Sequence, residues 1–150
     1  MRKVNINDAD ALFKWRNDPF VRRMSFNSDE LNYKNHLEWL NAKLNDPDCF
    51  MYINTTGQVR FDIKDGTAFV DMSVSKEYRG LGLAIVNLLI AINILILDCT
   101  SCGKKIHTIH GIIFHENIRS IKVFHSLGMR INPIKHGISI KYTVTNEYKN

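Results

Sequence analysis

The stretch Ala68–Ala84, AFVDMSVSKEYRGLGLA, joins an extended apolar run to a turn that contains two glycines. Its first half predicts a strand, and an almost wholly apolar helix is predicted from Leu83 to Leu97. The first N–H groups of a helix have no partner within the helix, and the helix dipole favours negative charge there. Gly80 and Gly82 let the backbone approach a ligand, and Arg79 adds a cation. The stretch therefore predicts a phosphate-binding loop.

Two common phosphate motifs do not fit this loop. A dinucleotide-binding fingerprint needs three glycines and an acidic residue about 20 positions further on, whereas Ala84 and the long helix follow here. A P-loop needs Gly-Lys-Ser or Gly-Lys-Thr, which is missing after Gly82. A glycine-rich turn before a buried helix, without any ligand, remains an alternative for this string alone.

Length and composition predict one domain with one substantial core. The chain has 150 residues, of which 45% are hydrophobic, and a net charge of +5. Lys and Arg are scattered through the sequence without a long basic run. This balance fits an anionic small ligand better than nucleic acid.

The cysteines and the long helix indicate in which cellular compartment the protein is expected. The three cysteines have no zinc-site spacing, and Cys99-Thr-Ser-Cys102 lies at the end of a helix, so reduced cysteines and no metal are predicted. The predicted helix 83–97 is too short to span a bilayer and carries Asn87 and Asn93, which predicts a buried core helix. We expect a cytoplasmic protein without a membrane partner.

The pattern along the chain predicts an α+β domain over residues 1–150. A connecting segment is expected at 20–26 between the first two helices. The predicted strands are 3–6, 49–54, 58–63, 67–75, 105–114 and 138–144, and the predicted helices are 7–17, 28–44, 83–97 and 116–127.

Two motifs resemble a known family. Val74-x-x-x-x-Arg79-Gly80-x-Gly82-x-Ala84 resembles the acetyl-CoA pyrophosphate loop of the GCN5-related N-acetyltransferases (GNAT), and Asn117–Met129, NIRSIKVFHSLGM, resembles their closing motif. The order of predicted elements is also that of the family. The resemblance covers essentially the whole chain and implies the GNAT fold, a mixed and mostly antiparallel central sheet with helices on both faces.

The resemblance implies that acetyl-CoA, the acyl donor, lies where the third meander strand and the next strand separate. The backbone of Met72 and Val74 would pair with pantetheine, and the Met72 N–H would polarise the thioester carbonyl. Asn117 and Ser120 would contact the cofactor from the other side. The loop that cradles the pyrophosphate would consist of Arg79, Gly80, Leu81, Gly82, Leu83 and Ala84.

The catalytic groups depart from the family pattern. Phe124 stands where the usual tyrosine acid is found, and the customary carboxylate positions read Ala68 and Ile112. Strand alternation places His110 on the face of Ile112, which makes His110 the predicted base. Weaker candidates are Tyr78, His115 and His125. For each histidine a structural role is the alternative.

The acceptor segment resembles two branches of the family. Trp15–Met24, WRNDPFVRRM, is followed by a helix that carries Trp39. This pattern resembles the nucleotide-linked amino-sugar N-acetyltransferases of the pseudaminic acid type and the ribosomal-protein N-terminal acetyltransferases. The predicted substrate-binding residues are Arg16, Asn17, Arg22 and Trp39. The alternative is that the aromatic residues pack in the core and the arginines form a solvated face.

Three functions follow from this pattern. We favour acetylation of a primary amine, the 4-amino group of a nucleotide-linked amino-sugar. A protein N-terminus is the second acceptor, and a CoA-binding sensor without turnover is the third reading. Such folds commonly form dimers, so a homodimer stays open, although no residue in the sequence demonstrates one.

Overall fold

The central sheet has the strand order β1-β2-β3-β4-β5-β7-β6 in the computed structural model, which describes residues 1–135 and 137–144. Every neighbouring pair is antiparallel except β4–β5, which is parallel. The strands are β1 Arg2–Lys3, β2 Cys49–Asn54, β3 Gly57–Lys64, β4 Thr67–Val74, β5 Thr108–Ile113, β6 Arg130–Ile134 and β7 Gly137–Thr143. The helices are α1 Ala9–Arg16, α2 Pro19–Arg23, α3 Tyr33–Leu44, α4 Leu83–Ser101 and α5 Ile118–Ser126, with 3-10 turns at Ile6–Asp8 and Lys76–Tyr78.

Helices cover both faces of the sheet, which confirms the predicted α+β class. On one face, α4 and α5 bury a cluster that includes Tyr52, Phe61 and Leu95. On the other face, α1 and α3 bury a smaller cluster around Leu12 and Leu40. The last six residues of the predicted domain, 145–150, lie outside the described residues.

The predicted meander of β2, β3 and β4 is confirmed to within one or two residues. The Asn54 side chain accepts hydrogen bonds from the N–H groups of Thr56 and Gly57 and closes the first turn. Asp65 and Gly66, with φ of 49° and 71°, form the second turn in the left-handed region that hairpins favour. Local turn chemistry therefore sets the register that leads into β4.

Two helix predictions near the N-terminus were wrong. The segment 20–26 was expected to be irregular, but α2 begins at Pro19, and the Asp18 carboxylate caps it by accepting from the N–H groups of Phe20 and Val21. The second predicted helix was placed at 28–44, but α3 begins at Tyr33, because Asn32 and not Ser28 is its N-cap.

The prediction for the long helix also needs correction. α4 ends at Ser101, four residues beyond the predicted 97, and only one face of it is buried. By length and composition alone this helix could cross a membrane, but here it packs along the sheet as the core helix of the domain. Its outer face leaves Val86, Leu89 and Leu97 exposed.

The strand β6, which contains Pro133, was not predicted, and β1 is shorter than the predicted 3–6.

Candidate active site

The parallel strands β4 and β5 separate halfway along their length. Their register contains three residue pairs and ends at Phe69–His110, although β4 continues to Val74 and β5 to Ile113. Gly111 lies at the point of separation, where a Cβ would meet the Val70 side chain at 3.2 Å. The two strands diverge beyond this point, which leaves a cleft in the sheet.

Backbone N–H groups of β4 point into this cleft. Ser75 donates its N–H to the Thr56 carbonyl at 2.9 Å. Hydrogen-bonded and non-hydrogen-bonded pairs alternate along an antiparallel ladder, so the N–H groups of Met72 and Val74 point away from β3. The register pairs neither residue with β5. Both donors are therefore placed where an extended ligand could pair with β4.

The glycine loop lies directly after this strand. Gly80 and Gly82 have φ of 83° and 74°, and a Cβ at either position would meet no atom of the described residues within 4 Å. Gly82 is the N-cap residue of α4 and offers no side chain to its first N–H groups. The loop thus presents unpaired helix N–H groups across open space, as an anion site requires.

A buried asparagine fixes the start of α4 against the meander. Asn87 accepts a hydrogen bond from Asn54 at 2.8 Å and donates one to the Thr56 hydroxyl at 2.9 Å. A buried amide is costly unless it is hydrogen-bonded. This network therefore holds the first turn of α4 beside the turn between β2 and β3.

Arg79 connects the loop to α2. Its Nε donates to the Val74 carbonyl at 3.1 Å, and its Nη1 lies 3.1 Å from the Asp18 carboxylate. Its guanidinium also stacks on the Phe20 ring, and the guanidinium of Arg119 from α5 lies over the same ring. Nη2 is buried without a hydrogen-bond partner among the described residues. Most of this side chain is thus committed to the fold, and Nη2 alone is left for a ligand.

The Asp18 carboxylate both caps α2 and forms the ion pair with Arg79. Burial alone would raise the pKa of Asp18, but hydrogen bonds from Arg79 and from backbone N–H groups outweigh it and hold the pKa below its ordinary value. The stabilisation is therefore present at neutral pH and is lost as the pH falls through the lowered pKa of the folded state.

Replacing Asp18 separates these two contributions. We expect Asp18→Ala to lower the free energy of unfolding by about 2–3 kcal/mol, since it removes an N-cap and a half-buried ion pair. Asp18→Asn keeps a capping oxygen and should lose about half as much. Urea unfolding at neutral and acidic pH measures both values, and the difference between wild type and Asp18→Asn should shrink in acid. A change below about 0.5 kcal/mol for Asp18→Ala would contradict the role of the pair.

The N-terminus of α5 lies on the other side of the cleft. Asn117 caps this helix by accepting from the Ser120 N–H at 3.2 Å, and both residues are half-buried. Phe124 is buried in the core, and its ring has no hydroxyl group that could donate a proton. The predicted cofactor contacts of Asn117 and Ser120 stay predictions.

Comparison with known proteins identifies this arrangement. Residues 1–130 match the family model of the acetyltransferase (GNAT) domain. The chain belongs to the GNAT acetyltransferase family. The acyl donor of this family is acetyl-CoA. The cleft donors of β4 and the open glycine loop fit the pantetheine and the pyrophosphate of that cofactor.

Individual relatives are distant. An uncharacterized protein of Methanocaldococcus jannaschii is 24% identical over 139 residues, and the match covers 87% of this chain but 28% of the relative. Spermidine N-acetyltransferase from Vibrio cholerae, solved with CoA and spermine, superposes with a TM-score of 0.79 at 15% identity over 95% of this chain and 93% of that one. Ribosomal-protein-alanine N-acetyltransferase from Brucella melitensis gives 0.74 at 17% identity over 95% and 98%. These likenesses confirm the fold.

In this GNAT domain, two of the predicted substrate-binding residues are arginines of α1 and α2. Arg16 donates through Nη2 to the Asn27 carbonyl at 2.6 Å, and Arg22 lies 3.6 Å from Glu30. The atoms Arg16 Nη1 and Arg22 Nε are buried without hydrogen-bond partners in the described part of the chain. Burial lowers the pKa of Arg16. The negative charge of Asp71 opposes that lowering of the pKa, whereas the positive charges of Arg22 and Arg60 add to it.

The other two predicted substrate residues have structural contacts. The Asn17 amide bonds to both the N–H and the carbonyl of Leu31. Trp39 stacks on His36 and under Arg60, with 37% of its surface exposed. Asn17 thus ties α1 to the segment before α3, and Trp39 lines the charged surface. Their roles in binding an acceptor stay predictions.

His110 lies at the last paired position before the strands separate. Its Nε2 is 2.9 Å from the Ser139 hydroxyl, and its ring meets the Phe69 ring edge-on. Burial and the neighbouring Lys141 lower the pKa of His110 from its ordinary value, which favours the neutral ring. A neutral imidazole can accept a proton, which is the state that the predicted base requires.

One acidic residue on the same face was missed in the sequence. Asp71 precedes Met72 on β4, and 56% of its side chain is exposed. It pairs with Arg60, whose guanidinium lies 3.6 Å away. Strand alternation could have found it, because Phe69 and Asp71 share a face opposite to Val70 and Met72.

Proposed function

We propose that this domain transfers the acetyl group of acetyl-CoA to the primary amine of an anionic small molecule, the 4-amino group of a nucleotide-linked amino-sugar. The observation that carries the proposal is the pair of buried guanidinium atoms, Arg16 Nη1 and Arg22 Nε, that lack partners among the described residues. A buried charged donor without an acceptor is costly. A nucleotide diphosphate would supply the missing acceptors.

The same charges argue against a polyamine. Spermidine is the substrate named for the Vibrio cholerae enzyme, and it carries only positive charge. Arg16 and Arg22 have buried donor atoms without hydrogen-bond partners among the described residues, and these positive groups would repel a polycation. An acceptor with a negative group and an amine fits this surface better.

The reaction needs orientation, polarisation and proton transfer. The Met72 N–H donates to the thioester carbonyl oxygen as negative charge develops there. His110 takes the proton that the acceptor ammonium must lose before its nitrogen attacks. The new C–N bond forms, the C–S bond breaks, and the CoA thiolate leaves with the second amine proton. The products are an amide and CoA thiol.

A protein N-terminus is the second candidate acceptor. The Brucella melitensis neighbour is a ribosomal-protein-alanine N-acetyltransferase, and the cleft here is open at the acceptor side. A CoA-binding sensor without turnover is the third, because Ala68, Ile112 and Phe124 replace the customary catalytic groups. Binding of CoA with no acceptor found would favour the sensor.

The test is mass spectrometry of a UDP-linked 4-amino-sugar incubated with the protein and acetyl-CoA. We expect a product heavier by one acetyl group, and a roughly tenfold or greater loss of rate in Arg22→Gln, which removes a charged hydrogen-bond donor. Arg23→Gln is the matched control, since Arg23 is exposed on the same helix. If no sugar product forms and N-terminal peptides are acetylated instead, the second candidate replaces the first.

A further inference from the structure

The carboxylate of Asp71 occupies a position that neither the fold nor the predicted cofactor contacts require. It lies on β4 between Phe69, whose ring contacts the candidate base His110, and Met72, whose N–H points into the cleft. Its side chain points to the face of α1 and α3, as the pairing with Arg60 shows. It is thus adjacent to the thioester position, on the side from which an acceptor arrives.

Arg60 has a closer carboxylate partner than Asp71. Arg60 donates through Nε to Asp62 at 2.9 Å and stacks on Trp39. Lys43 completes that network with a bond of 2.6 Å to Asp62. Asp71 lies further from Arg60, at 3.6 Å, and more than half of its side chain is exposed. An exposed pair of this length contributes little to stability, so the Asp71 carboxylate remains available to a ligand.

Opposite charges therefore lie at two places on the acceptor side. Arg16 and Arg22 supply unpaired donors for an anion, and Asp71 supplies acceptor oxygens next to the Met72 N–H. An amine reaches this surface as an ammonium ion, which needs a carboxylate partner when it leaves water. On this face of β4 and β5, the neighbouring residues Phe69, His110 and Ile112 have no carboxylate, so Asp71 is the group with that charge in the described part of the two strands.

We propose that Asp71 binds the ammonium group of the acceptor and holds its nitrogen beside the thioester carbonyl, from which position His110 removes the proton. The proposal rests on the acetyl-transfer function but not on the identity of the acceptor. It makes Asp71 a binding residue for the reacting nitrogen and predicts that this domain selects amines over alcohols at the same position.

Two CoA derivatives test the proposal without any acceptor. S-(2-aminoethyl)-CoA carries an ammonium close to the thioester position, and S-propyl-CoA has the same length and no charge. Isothermal titration calorimetry of the wild-type protein should show about tenfold tighter binding of the aminoethyl derivative, the effect of one charge-assisted hydrogen bond at a partly exposed site. In Asp71→Asn the two derivatives should bind equally.

Asp62→Asn is the matched control, because it also removes a carboxylate partner of Arg60. Asp62 lies on β3, two residues after Arg60, and not on the strand β4 that borders the cleft. Its preference for the aminoethyl derivative should persist. Equal affinity of the two derivatives for the wild type overturns the proposal, as does a preference that survives in Asp71→Asn or disappears in Asp62→Asn. Failure of the UDP-linked sugar to react would count against the acceptor class alone, since both probes are derivatives of CoA.

Discussion

Gly82→Ala is expected to weaken acetyl-CoA binding by roughly 30-fold or more while the protein stays folded. Gly82 has a φ of 74° and a Cβ there would extend into open space in front of the helix α4. That space is where the pyrophosphate must approach the unpaired N–H groups. A methyl group in this position would break at least one charge-assisted hydrogen bond, which is worth about 1.5–3 kcal/mol.

Gly103→Ala provides the matched control at the opposite end of the same helix. Gly103 also has a φ of 74° and no atom within 4 Å of its Cβ position. Both variants should therefore lose a similar free energy of unfolding, about 1–2 kcal/mol for a left-handed alanine. Thermal unfolding measures that cost, and calorimetry with acetyl-CoA measures affinity. A similar loss of affinity in both variants would mean that backbone strain, and not contact with the cofactor, explains the effect.

The sequence predicted the strand, the glycine turn and the helix beside the cleft because their signals are local. A strand, two glycines and a long apolar helix follow one another between Thr67 and Ser101, and turn residues fix the meander before them. Strand alternation also put His110 on the correct face. Each of these inferences uses neighbours within a few residues, where periodicity and turn chemistry are informative.

The acceptor side depended on contacts between distant residues. Ser28 and Asn32 are both good caps, but the Asn17 side chain binds the backbone of Leu31 and keeps the segment before Tyr33 out of the helix. The pairing of Asp18 with Arg79 likewise joins two parts of the chain that no local pattern connects. The strand β6 was not predicted because it contains Pro133, which disfavours a strand. Its pairing with β7 stabilises it nevertheless. Tertiary contacts decided these elements, so propensity could not.

His110→Gln is expected to lower kcat for acetyl transfer by about 100-fold, the low end of what a positioned base contributes. Nε2 contacts the Ser139 hydroxyl, and a glutamine amide can keep a hydrogen bond there without accepting the amine proton. The assay is the release of CoA with the amine acceptor that mass spectrometry identifies. His115→Gln is the control, since His115 is exposed after β5 and should retain the wild-type rate.

The pH dependence separates a base from a structural histidine. Burial and Lys141 lower the pKa of His110 from its ordinary value, so the neutral, proton-accepting form predominates above the lowered pKa. The wild-type kcat should therefore fall as the pH decreases through that lowered pKa, and this acid limb should be missing in His110→Gln. A variant that is slow but keeps the same acid limb would show that another group titrates.

Because Asp71 binds the ammonium in our proposal, Asp71→Asn should raise KM for the acceptor and leave the midpoint of the acid limb in place. This outcome distinguishes binding of the amine from its deprotonation.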